Sequence, residues 1–436
     1  MFCGIQMLPQ RIMSKYMNRR NAICLKLRTF SRKSNIQDKP AIILGIETSC
    51  DDTACGIVDS NKNVLSNEKI SQHDTHLSFG GIIPTIAGKI HANNITKVCE
   101  NALRAAKLRL RDVDAIAVTV KPGLFKSLKI GAQFAKYLSR IGNKPLIPVH
   151  HMQAHALTIR LIKQVEYPFL VLLVSGGHCM LTIAQDVDKF YILGDVLSNA
   201  PGELLDKVAR KLKLNYIPEF SHLHGGHAIE MAARKASKVD KTMFGPTMTH
   251  YHNCTFSFAG MTSACLKRIE KLEKEHDISA DMILPEVYEI SAAYQYSNCL
   301  HICQRTQRAM EYIDRMSLIP KENRILVASG GVASNEYLAN ALNLVCSEMG
   351  FTFARVPPEL CTDNGIMVAW NGMEKYLQNK DILTDRDEIE KVELETKWPI
   401  GEDWTENVTR ANINTNNKNF VLSICFKNLK PFPVLL

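Results

Sequence analysis

Apolar runs of strand length alternate along this chain with amphipathic stretches of helix length, and the alternation occurs twice. Ala41 to Ile46 is apolar, Glu47 to Asp52 is a polar turn, and TACGIVDS is a second apolar run ending at Asp59 and Ser60. That order predicts a β-hairpin whose tip is built for a polar ligand. Ile90 to Leu110 has helical periodicity. DAIAVTVKPGLFKSLKIGAQFAKYL reads as strand, Pro-Gly turn and helix, and the short strand PLIPVH follows it. The second half begins in the same way. FLVLLVSGGHCMLTIAQ is strand, Gly-Gly turn and strand, and RILVASGGVASNEYLANAL is strand, Gly-Gly turn and helix. Each half opens on a hairpin with a small polar tip, and each later carries a strand–turn–helix unit with glycine at the turn. The pattern predicts a structural duplication: an α/β chain of two lobes with a cleft between them. Lobe I spans 39–165. Lobe II spans 166–400, with the helix after Asp363 returning toward lobe I. A tail, 401–436, is Asn-rich and then apolar; a packed final strand and a disordered extension are both open for it.

Charge sharpens the boundary at the N-terminus. Arg11, Lys15, Arg19, Arg20, Lys26, Arg28, Arg32 and Lys33 precede the first acid, Asp38. Removing these eight from the formal net charge of +9 leaves about +1 for the rest. A head rich in Arg, Ser, Met and Asn without acids has the composition of a mitochondrial transit peptide, expected over 1–38, against the alternative of a basic disordered tail. The near-neutral remainder means that any nucleic acid must be held by a local patch. One candidate patch is Lys207, Arg210, Lys211 and Lys213 with Arg234, Lys235, Lys238 and Lys241; a solvated helix face explains any one of them equally well. No apolar run approaches the ~20 residues of a membrane span. Thirteen cysteines are scattered without a C-x-x-C pair, so neither a zinc ribbon nor a disulfide framework is expected, and a reducing compartment fits.

Candidate chemistry concentrates at a few turns. His151 and His155 in VHHMQAHAL stand four residues apart, on one face of a helix. Alone, such a pair more often marks a polar face than a metal site. Asp363, in LCTDNG, opens an apolar helix; it either caps that helix or closes a site with the two imidazoles, and three protein ligands leave open positions of the catalytic kind. Gly176-Gly177 and Gly330-Gly331 end apolar strands, where backbone amides approach phosphate or ribose closely. No P-loop and no G-x-G-x-x-G is present. In NAPGELLDKVAR, Glu203 and Asp206 fall in a first helical turn, where acids complement the dipole or bond ribose hydroxyls. Asn335, in SGGVASN, either caps a helix or contacts adenine or ribose.

GIETSCDDTA, GGIIPTIAGKIH, PGLFKSLKIG, HHMQAHAL, SGGH, GELLDKVAR, FSFAGM, GGVASN and LCTDNG occur in this order. Together they resemble the tRNA N(6)-threonylcarbamoyladenosine synthase family, in its mitochondrial branch, over about Ile42 to Gly372. The resemblance implies a two-lobed actin-like fold of the sugar kinase/heat-shock/actin superfamily. It implies transfer of threonylcarbamoyl from threonylcarbamoyl-AMP to the exocyclic amine of the adenosine 3′ of the anticodon, in mitochondrial tRNAs reading codons that begin with A. Location in the mitochondrial matrix, a homodimer and a functional link to the enzyme that makes threonylcarbamoyl-AMP are implied with it. One divalent metal ion per subunit, iron or zinc, is implied at His151, His155 and Asp363. Adenylate contacts carry over to Ser175, Gly176, Gly177, Gly202, Glu203, Asp206, Gly226 and Asn335. Asp51 or Asp52 would take the proton of the attacking amine, as would the phosphate leaving group.

Four positions depart from the family pattern: Gln153 stands where Glu is usual, Asp52 for Glu, Lys121 for Gly and Asn199 for Asp. They put rate and substrate affinity in question more than fold, and Gln153→Glu is expected to keep or raise activity. The family's older label leaves a metal-dependent endopeptidase as an alternative, and the missing carboxylates leave a non-catalytic tRNA-binding scaffold.

Overall fold

A computed structural model of the chain describes residues 39–413 except 80, 246, 249 and 280. The transit-peptide expectation, and the tail beyond 413, lie outside the described residues. The first sheet has five strands: β1 (Ile42–Glu47), β2 (Asp52–Asp59), β3 (Val64–Ser71), β4 (Ala115–Lys121) and β5 (Leu146–His150), in the order β3-β2-β1-β4-β5. β1 to β3 form an antiparallel meander, and β4 and β5 run parallel to β1. The second sheet is built from β6 (Phe169–Val174), β7 (Cys179–Ala184), β8 (Phe190–Asp195), β9 (Ile325–Ser329), β10 (Thr352–Arg355) and β11 (Glu402–Asp403), in the order β10-β9-β6-β7-β8-β11. Leaving out β11, the two sheets share one order: an antiparallel meander whose first strand is then flanked by two later parallel strands. The chain is therefore a duplicated α/β fold of two lobes. β1, β2 and β6 are buried along their whole length, which is why they read as apolar runs without alternation.

Two helices, packed on one another, carry the site. The histidine helix, His151–Leu157, is buried all round. Its Met152, Ala156 and Leu157 pack with Phe169, Val171 and Leu173 of β6, while Ala154 packs with Ile147 and Val149 of β5. The closing helix, Gly365–Leu377, lies on β1, β2 and β4. Glycines on both sides of that contact let backbone meet backbone: a Cβ at Gly45 would stand 2.6 Å from Ala369 Cα, and one at Gly56 would stand 2.8 Å from Ile366 Cα. Beyond this helix the chain stays with the first sheet, bridging Leu146 to Leu383 and burying Ile389 in the lobe I core. It re-enters the second lobe at Ile400, and β11 then pairs with β8. After β11, helix Thr405–Ala411 buries Val408 in the lobe II core. Among the described residues no helix is long and apolar enough to cross a membrane. Cys299 and Cys303, on the long helix Val287–Met316, are buried in the lobe II core.

Candidate metal centre and adenylate cleft

β5 ends at His150, whose ring accepts the Met152 amide and so caps the histidine helix at its start. The next residue, His151, faces His155 one turn on, with ring centroids 4.7 Å apart and the rings nearly perpendicular. Asp363 arrives from the turn before the closing helix. That helix is capped by Asn364, which accepts the Met367 amide, so Asp363 is left for the cleft. His155 Nε2 lies 3.0 Å and His151 Nε2 lies 3.6 Å from Asp363 Oδ1. The three side chains each offer one ligand atom, all within 4.8 Å of one another.

A fourth residue, which the sequence reading missed, sets the orientation of His151. Glu47, at the end of β1, is fully buried. It accepts the Ser49 amide (2.5 Å) and the Thr119 hydroxyl (2.6 Å), and its Oε2 lies 3.2 Å from His151 Nδ1. A carboxylate at that nitrogen keeps a proton on Nδ1, so Nε2, which faces Asp363, is the nitrogen that would give up its proton to a cation. Burial works against a charged His151, but the carboxylates of Asp363 and Glu47 outweigh it and raise the imidazole to about 9. Asp363 is likewise desolvated, yet the two imidazoles hold its carboxyl well below the usual range. A pocket whose field stabilises a proton between two acids stabilises a metal cation for the same reason. Two nitrogens and one oxygen are the donor set of catalytic zinc and non-haem iron sites. The buried His155 Nδ1, by contrast, has no hydrogen-bond partner among the described residues.

The triad opens onto a cleft of about 1320 Å³ that is also lined by Asp51, Asp52, Ser175, Gly176, Gly177 and Asp206. That is ample for a nucleotide-sized ligand. A Cβ at Gly176 or Gly177 would meet no protein atom within 4 Å, so the missing side chains leave ligand space rather than packing space. Gly202 serves differently: a Cβ there would lie 2.7 Å from Gly176 Cα, so its glycine lets helix Pro201–Lys211 seat against the loop. Asp206 accepts the Gly226 amide at 3.2 Å, and burial pushes its carboxyl up. Glu203, Gly226 and Asn335 lie outside the cavity lining. Asn335 caps helix Glu336–Met349 through the Leu338 amide and bonds Gln295. At the mouth, His73 of lobe I meets His224 of lobe II with ring centroids 4.2 Å apart.

The departures acquire physical reasons. Gln153 is absent from the cleft lining; its amide donates to the Ile400 carbonyl at 3.2 Å. It holds the segment that returns to lobe II, so the missing carboxylate takes no base from the cleft. Gln153→Ala is expected to cost about 1–2 kcal/mol of stability with kcat for transfer within about twofold. A tenfold fall in kcat at unchanged thermal midpoint would return this residue to the chemistry. Asn199 donates to both oxygens of Glu203, at 3.0 and 3.1 Å, where an aspartate would repel them. Lys121 places its ammonium 4.3 Å above the Trp398 ring. Asp52 is paired with Lys69 at 3.2 Å, while burial still pushes its carboxyl up.

Fold and site together define a two-lobed α/β protein with a histidine–carboxylate centre beside a glycine-lined cleft. Comparison with known proteins makes the class specific. The sequence matches the TsaD family, tRNA N6-adenosine threonylcarbamoyltransferase, over residues 63–370. It is 45% identical over 401 residues to the mitochondrial tRNA N6-adenosine threonylcarbamoyltransferase of Xenopus tropicalis, covering 92% of this chain and 98% of that one. The Homo sapiens protein of the same name is 46% identical over 372 residues, covering 85% and 89%. A ROK family glucokinase from Streptomyces griseus overlays loosely, with 12% identity, 76% and 98% of the two chains and a TM-score of 0.36. This chain belongs to the tRNA N6-adenosine threonylcarbamoyltransferase family.

Proposed function

We propose that this chain works in the mitochondrial matrix as the enzyme that transfers threonylcarbamoyl from threonylcarbamoyl-AMP to the exocyclic amine of the adenosine 3′ of the anticodon, in tRNAs reading codons that begin with A. The observation that carries the reading is one cavity in which a His151–His155–Asp363 cluster adjoins side-chain-free glycine amides. His151, His155 and Asp363 would hold one divalent ion, zinc or iron by donor type. When bound, that ion supplies Lewis-acid polarisation of the substrate's oxygens.

The protein's own groups do the rest. Gly176 and Gly177 present amides to the phosphate, and Ser175 flanks them. Asp206 lies on the same wall for the ribose hydroxyls. Gly202 and Gly226 support this wall from behind, and Glu203 and Asn335 hold the helix starts beside it. The adenosine amine attacks the carbamoyl carbon; a C–N bond forms, the C–O bond to phosphate breaks, and AMP leaves. Asp51, half-buried on the cleft wall, accepts the amine proton, because Asp52 is engaged with Lys69. An aromatic amine is a weak nucleophile, so orientation in the cleft supplies much of the rate. The family resemblance supports a homodimer, and a separate enzyme as the source of the acyl adenylate.

Purified protein loaded with zinc or iron(II), incubated with threonylcarbamoyl-AMP and mitochondrial tRNA, is expected to yield threonylcarbamoyladenosine by nucleoside mass spectrometry. Release of AMP without a modified nucleoside would overturn the reading.

A further inference from the structure

We infer that the rim formed by the turn Lys121–Lys126 and the strap Glu395–Trp398 is the docking surface for a single-stranded RNA loop, with bases stacked on exposed aromatic rings and the backbone held by unpaired lysines. This rests on the reading that the acceptor is an adenosine of tRNA. The two segments are one structure: Glu395 N donates to Val120 O at 3.2 Å, Gly123 N donates to Thr396 O at 3.3 Å, and Lys121 sits over the Trp398 indole. Pro122, Phe125, Lys126 and Lys397 belong to the wall of the cavity that holds the histidine–aspartate cluster. A base presented at this rim therefore has an open path to the metal centre.

The rim has the composition that loop recognition requires. Phe125 is 51% exposed and Trp398 48% exposed, so each ring is open to a stacking partner at the rim. Single-stranded RNA is read by stacking its splayed bases on such rings, with cations tracking the phosphates. Lys126, Lys129 and Lys397 are exposed, and among the described residues none of them pairs with a carboxylate. The basic patch expected from sequence in lobe II fares worse as an RNA surface. Lys211 and Lys213 share Glu273, Arg234 is paired with Glu230, and Lys235 with Glu219. Much of that charge is already neutralised within the fold, whereas the rim charge is not.

The test uses the full chain and two synthetic RNAs, an anticodon stem–loop with adenosine 3′ of the anticodon and a blunt duplex of equal length. Phe125→Ala/Trp398→Ala is expected to weaken stem–loop binding at least about tenfold, with threonylcarbamoyl-AMP binding within about twofold and duplex binding unchanged. Lys126→Ala and Lys397→Ala should each lower the slope of log affinity against log salt by about 0.7–1. Trp398→Phe should restore most of the stem–loop affinity, and melting curves establish that each variant is folded. Stem–loop affinity within twofold of wild type in all folded variants would overturn the rim, as would equal losses for stem–loop and duplex. Failure of the wild-type protein to modify any tRNA would instead overturn the proposed function, so the two failures are distinct.

Discussion

His151→Ala or Asp363→Ala is expected to reduce threonylcarbamoyl transfer at least about 10²–10³-fold while the protein stays folded. The reason lies in how the cluster is assembled. Each residue contributes one ligand atom, so removing one leaves a two-ligand site with too few donors to hold a divalent ion. Metal content, read on the purified variant, should fall with activity, and the thermal midpoint without metal should stay within a few degrees of wild type. Normal transfer from a metal-stripped double variant would refute the assignment. The variants also differ in an instructive way. Losing Asp363 removes an acid that favours charge on His151, while losing His151 leaves Glu47 to the Ser49 amide and the Thr119 hydroxyl. A buried carboxylate short of a donor is costly, so His151→Ala should be the less stable of the two.

Gly365→Ala is expected to be the most damaging small substitution in the body. A Cβ there would lie 2.7 Å from Cys55 Cα, with Cys55 C and Gly56 N nearer still. Neither partner is a flexible side-chain end, so the closing helix must lift off β2. Overpacking against rigid atoms costs roughly 3 kcal/mol or more, and a drop of at least about 3–4 °C in thermal midpoint follows for a chain of this size. Gly260→Ala is the control: it sits in helix Ala259–Glu275, and its Cβ would meet nothing within 4 Å. That change should be neutral or stabilising by about 0.5–1 kcal/mol. Equal melting behaviour of the two variants would show that the contact between helix and sheet yields more easily than its geometry implies.

The residues that sequence made legible share a trait: their chemistry is local. The hairpins showed as apolar runs around polar tips, and β1–β2 and β6–β7 are paired that way. His151 and His155 declared themselves by helical spacing, and Asp363 through its motif. Glu47 gave no such signal. A glutamate closing a buried strand reads as a turn acid, and its partners Thr119 and His151 are 72 and 104 residues away. Gln153 was legible as a departure but not in its purpose, since Ile400 lies 247 residues on. Asn335 was readable in both senses, and the cap is what the fold displays. In the lobe II basic patch, Lys211 and Lys213 meet Glu273 and Lys235 meets Glu219, acids from other segments that spacing along a helix does not reveal.

The histidine helix touches strands of both sheets and packs on the closing helix, and the ligand cluster hangs from the start of these two helices. When two bodies turn about a shared axis, points beside the axis barely travel and points at the far edges sweep widest. The cation's three anchors would thus keep their spacing through any rocking of the halves.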